Sequence, residues 1–237
     1  MRRGFPGLRR FFPKPTRAVG IILFACIAIH VVFLLSIKHA PIWAMRMLEY
    51  GALTPATVLH RPWTIITMAF LHDPHSLMHI IFNMMALWSI GPWLERALGT
   101  RRFSILYAIS LLAGSLVFVL KGFVSGGVSG PAIGASGAIM GVVVGFGFVF
   151  PEVELRLFGV APLKAKNIFW AAILVDTIMV IMNVPIAVSV HIGGMLGSWF
   201  YLRRPWNPRY RMWLSNRIRN KINWLRIKYR LWKASRP

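Results

Sequence analysis

Residues 134–141 read GASGAIMG, and residues 191–197 read HIGGMLG. Each is a run of small residues with one reactive side chain, Ser136 in the first and His191 in the second, set within apolar sequence. Glycines at three- and four-residue spacing let two helices approach until their backbones touch. Gly137 and Gly141 on one side, with Gly193, Gly194 and Gly197 on the other, predict such a crossing, and Gly134 extends the seam. A hydroxyl and an imidazole carried there are close enough to share a hydrogen bond.

The solvent for this crossing follows from composition. The 237 residues are 57% hydrophobic and only 14% charged, against about 25% charged in an average soluble domain. Apolar runs occur at 18–37, 75–94, 103–120, 132–150, 167–184 and 186–202, several of them approaching the roughly 20 residues needed to span a bilayer. The chain therefore reads as an all-α integral membrane protein with six transmembrane helices, a long first outer loop and a basic C-terminal helix. The first run reads as an anchor rather than a cleaved signal. Pro185 splits the last two runs and predicts antiparallel neighbours. The single cysteine, Cys26, can form no internal disulfide.

A net charge of +22 suggests a nucleic-acid binder until its distribution is considered. Lys and Arg number six in residues 1–17, three in 95–102, three in 151–166 and twelve in 203–237. Only Lys38, Arg46, Arg61 and Lys121 fall in the alternate segments. That asymmetry predicts both termini on the cytoplasmic side. The organisation expected is a basic segment at 1–17, a membrane domain at 18–203 and a tail at 204–237. In the tail Tyr210, Leu214, Ile218, Ile222, Leu225, Tyr229 and Trp232 recur every three or four residues, with Lys and Arg over the remaining surface. Such a helix suits an anionic inner leaflet better than RNA, and no nucleic-acid partner is expected.

With this topology Ser136, His191, His79 and Asn83 fall at similar shallow depth on the outer side. His79 and Asn83 are four residues apart and share a helix face. A serine hydroxyl needs a base to become a nucleophile, and neutral imidazole serves. Asn and His N–H groups suit a developing oxyanion. The sequence around Ser136 lacks the second glycine of the soluble hydrolase elbow, since position 138 is Ala. A transport path would need polar groups continuing to the inner side, and apart from Asp176 there are none.

HSLMHIIFN at 75–83, GASGAIMG and HIGGMLG, in this order and in these runs, resemble the rhomboid family of intramembrane serine proteases. WTIITMAFLHDP before the second run and GPWLERALGTRRFSILY after it support the likeness, which covers about residues 18–203. The resemblance implies a six-helix bundle and a dyad without a third acid, Ser136 as nucleophile and His191 as general base and acid. It implies an oxyanion site made by Asn83, His79 and the Ser136 backbone N–H. It also implies acyl-enzyme hydrolysis of transmembrane protein substrates with no cofactor or metal, in a cavity open to the outer side; a bacterial inner membrane is the expected location. Met140 stands where the family usually carries an aromatic ring, and Trp63-Thr64 replaces its usual Trp-Arg pair.

Other polar residues receive plainer readings. Asp176 lies mid-run, about eight residues below the outer end of its span and so roughly 12 Å deep. That depth argues for a packing or hydration role rather than a partnership with His191. His72, Asp73 and His75 occupy a turn beside Pro74 and are not read as a metal site. His30 is expected to be a satisfied packing residue. Glu95 with Arg96, Arg101 and Arg102 reads as an inner loop with local ion pairs.

Overall fold

A computed structural model describes residues 13–126, 130–155, 163–182, 187–203 and 224. The chain divides into two compact units, Met1–Trp199 and Phe200–Pro237. The tail stripe from Tyr210 to Trp232 lies outside the described residues.

The first unit is built from helices. α1 (Arg17–His39), α4 (Leu77–Leu98) and α5 (Thr100–Val124) are each long and apolar enough to cross a membrane. α6 (Ser136–Val149) is a shorter apolar helix, followed by α7 (Ile168–Ile181) and α8 (Val188–Leu202). Between α6 and α7 a two-residue antiparallel ladder joins β1 (Glu154–Leu155) to β2 (Leu163–Lys164). The connection between α1 and α4 holds α2 (Pro41–Gly51), a four-residue α3 (Thr64–Thr67) and a 3-10 turn at Met68–Phe70. Ile42, Trp43 and Met45 of α2 are exposed. Arg61 fastens this loop, donating to the Glu49 backbone at 2.6 Å and its carboxylate at 2.8 Å. Its guanidinium also covers the Tyr50 ring. A guanidinium thus anchors the loop from position 61 although position 64 is threonine.

Glycines determine how α8 packs. A Cβ on Gly194 would fall on the Gly137 carbonyl of α6. On the opposite side, a Cβ on Gly193 would come within 2.5 Å of the Ala113 carbonyl of α5, and one on Gly197 within 2.8 Å of the Ala113 side chain. α8 is therefore in backbone contact with two neighbours at once, which no residue larger than glycine permits at position 194. Gly141 leaves room for the buried Ser110 hydroxyl of α5, which is satisfied by its own helix at the Leu106 carbonyl.

Glu95 does something other than pair with arginines. α4 continues past it to Leu98, and the side chain is buried. Its carboxylate accepts from the Ala18 and Val19 backbone N–H groups, the Thr16 hydroxyl and the Thr100 hydroxyl. The first N–H groups of a helix have no partner within it, and an anion there is favoured by the helix dipole. An acid from the end of α4 thus caps the start of α1. Arg96 turns away to the Lys14 carbonyl.

Replacing Glu95 with Ala leaves two buried N–H groups without their acceptor and should cost about 2–4 kcal/mol, read as a lower unfolding temperature in detergent. Glu95→Gln keeps one acceptor oxygen and should lose less. An Ala variant as stable as the parent would show that the cap does not hold α1 to α4.

Candidate active site

Ser136 is the first residue of α6, and the strap before it positions it. The Leu53 and Ala132 backbones exchange hydrogen bonds at 3.0 and 2.8 Å, and Gly134 N–H donates to the Met68 carbonyl at 2.8 Å. Gly134 has φ +112, a conformation L side chains rarely adopt. A Cβ at that position would also lie 2.6 Å from His79 Nε2. The turn therefore brings the His79 ring against the backbone two residues before the serine. As the leading residue of α6, Ser136 has a backbone N–H with no partner in its own helix, at the end where the dipole favours negative charge.

His191, in the first turn of α8, meets the serine from the other side of the glycine seam. Its Nε2 lies 2.7 Å from Ser136 Oγ. Its Nδ1 lies 2.9 and 3.0 Å from the two carboxylate oxygens of Asp176 on α7. His191 is 7% exposed and Asp176 4%, and Ser136 is half-buried, so three side chains from three helices form one continuous chain of contacts.

The contact with Asp176 overturns the depth argument made from sequence. α7 ends at Ile181, five residues beyond Asp176, while α8 starts at Val188, three residues before His191. At about 1.5 Å per residue the two Cα levels differ by only roughly 3 Å, a gap that side chains close. The sequence estimate took the outer end of span five three residues too far out. What it held, and left unused, was an acid alone in an apolar helix.

His79 and Asn83 share a face of α4. The Asp73 N–H donates to His79 Nδ1 at 3.3 Å. That assigns the ring proton to Nε2, the atom facing Gly134. Asn83 is buried and donates one amide hydrogen to the His79 carbonyl at 2.7 Å, keeping a second. Behind them His72 is fully buried, 5.2 Å from the His79 ring centroid. Burial, reinforced by repulsion from His79, pushes the His72 imidazole down to about 4, so it contributes an uncharged ring. His30 packs edge-on to His72 at 6.2 Å, and among the described residues neither ring has a hydrogen-bond partner. His30 is thus a packing residue, but an unsatisfied one. Asp73 accepts from the His75 N–H while His72 turns inward, so these three side chains do not converge.

The description of known proteins fits this geometry. The Rhomboid domain family model matches residues 59–204. The chain is 29% identical to the rhomboid protease GluP of Bacillus subtilis over 75% of its length and 33% of that protein's. It is 31% identical to the mitochondrial presenilin-associated rhomboid-like protein of Bos taurus, over 71% of this chain and 45% of the relative. For the rhomboid protease GlpG of Yersinia pestis the figures are 28%, 74% and 58%. The chain thus spans between about a third and three-fifths of the length of these relatives.

Gly134→Ala should lower the unfolding temperature more than Gly99→Ala does. Both residues have positive φ, but a Cβ at Gly99 has no atom within 4 Å. The strained backbone costs about 1–3 kcal/mol at either site, and only position 134 adds the collision with His79. Equal losses would show that the ring does not press on the turn.

Proposed function

The chain belongs to the rhomboid family, and from that premise we infer that it is an intramembrane serine endopeptidase acting on peptide bonds in or beside the transmembrane segments of other membrane proteins. The observation that carries this reading is the 2.7 Å contact between Ser136 Oγ and His191 Nε2. In such a pair the serine O–H donates to the imidazole. As Oγ bonds to the scissile carbonyl carbon, the proton passes to Nε2, and the carbonyl oxygen becomes an oxyanion. The Ser136 N–H, the His79 Nε2–H and the free amide hydrogen of Asn83 supply donors to it. His191 then gives its proton to the leaving amine, leaving an acyl ester on Ser136. Water, deprotonated by the same imidazole, releases the second product.

The remaining assignments rest on charge. We read α1, α4, α5, α6, α7 and α8 as six spans with both termini cytoplasmic, because Lys and Arg crowd the segments that this topology places inside. The Ser136 end of α6 then faces the outer side. The basic tail beyond residue 203 would lie along the anionic inner leaflet.

Ser136→Ala and His191→Ala should each lower cleavage of a single-pass substrate in liposomes by about 10³-fold or more. Labelling by a fluorophosphonate probe in detergent should vanish in Ser136→Ala. Labelling that persists there would remove Ser136 as the nucleophile. Asn83→Ala should lower kcat by about 10²-fold while labelling of the fold remains possible. Truncation after Arg204 should weaken binding of the detergent-solubilised protein to vesicles rich in anionic lipid and spare cleavage. A truncated protein that folds but does not cleave would give the tail a role in the reaction.

A further inference from the structure

We propose that Asp176 is a positioning residue for His191, completing a Ser136–His191–Asp176 relay in place of a two-residue arrangement. The inference rests on the peptidase reading above and specifies how its base is held. Asp176 is the one formally charged residue of α7, IFWAAILVDTIMVI. An ionisable side chain in hydrocarbon is costly and needs a polar partner. The groove beside it, about 340 Å³, is lined mainly by Ile173, Val180, Ile192, Met195 and Leu196, and its one hydroxyl, that of Thr177, donates to the Ile173 carbonyl at 2.8 Å. The partner is the imidazole: both carboxylate oxygens lie within 3.0 Å of Nδ1, with the two side chains 9% and 6% exposed.

The consequence for the base is specific. A carboxylate accepts and does not donate, so Nδ1 must carry the ring proton, and the Nε2 lone pair is turned to the Ser136 hydroxyl. When Nε2 takes the serine proton, the resulting imidazolium sits against an anion, the two side chains being 9% and 6% exposed, where attraction is stronger than in open water. In this relay the only proton that moves is the one passed from Oγ through Nε2 to the leaving amine. His79 of α4 also interacts with His191, but an imidazole supplies no anion to anchor it.

The test uses the full chain in detergent or liposomes, with Asp176→Asn, Asp176→Glu and the parent compared for kcat, KM and pH dependence. Asp176→Asn should lower kcat by about 10²–10⁴-fold with KM changed less than threefold. The acid limb of its pH profile should move to lower pH, because the base loses the anion that favours its protonated form. Asp176→Glu should recover part of kcat. A folded Asp176→Asn with kcat within threefold of the parent and an unmoved acid limb would overturn the proposal. Should Asn not fold, ¹⁵N-histidine NMR of the parent decides: His191 with its neutral-form proton on Nδ1 supports the relay, and a proton on Nε2 overturns it. A parent whose hydrolysis does not depend on Ser136 would instead sink the peptidase reading itself.

Discussion

Ser136 and His191 can share a hydrogen bond because Gly137 and Gly194, one and three residues away from them, let the backbones of α6 and α8 touch. In a membrane this contact cannot be driven by burying apolar surface, since lipid tails are as apolar as the helices. It must come from close packing, and glycine provides that only by giving up its own helix propensity, about 1 kcal/mol per residue relative to alanine. The seam repeats toward α5 through Gly193 and Gly197. α8 is therefore held on two sides, which gives the imidazole a defined height and direction before any polar contact forms.

The outer loop supplies the second constraint. The segment before Ser136 is irregular backbone with Ala132 and Ala135 buried, where unpaired N–H and C=O groups are costly. Its groups are instead paired with Leu53 and Met68, and those residues are fastened in turn by Arg61, Trp63 and Thr67 to the end of α2. The serine's location is thus fixed by a loop distant in sequence. The same loop delivers Asp73, whose N–H sets the proton of His79. Ser136 and His79 consequently share one scaffold.

Patterns that repeat along the chain were legible in the sequence. Apolar runs located the helices to within a few residues at most ends, and charge asymmetry predicted which ends face each other, so Ser136, His191, His79 and Asn83 could be grouped without any contact being known. Contacts that depend on where a helix stops were not legible. A span estimate extended to residue 184 put Asp176 too deep for a partner that α7, ending at Ile181, places within 3 Å. Glu95 was assigned to a charged loop because the apolar run fades near residue 94, while α4 itself runs to Leu98 and carries that side chain into the protein. In both cases an acid among apolar residues was the available signal, and its partner was a group at the end of another helix.

The fourteen residues of α6 rise about 21 Å, against a hydrocarbon layer of roughly 30 Å. A helix of that length covers all but about 9 Å of such a layer. On the function proposed above, a client helix would then meet Ser136, the first residue of α6, below the surface of the layer rather than at it.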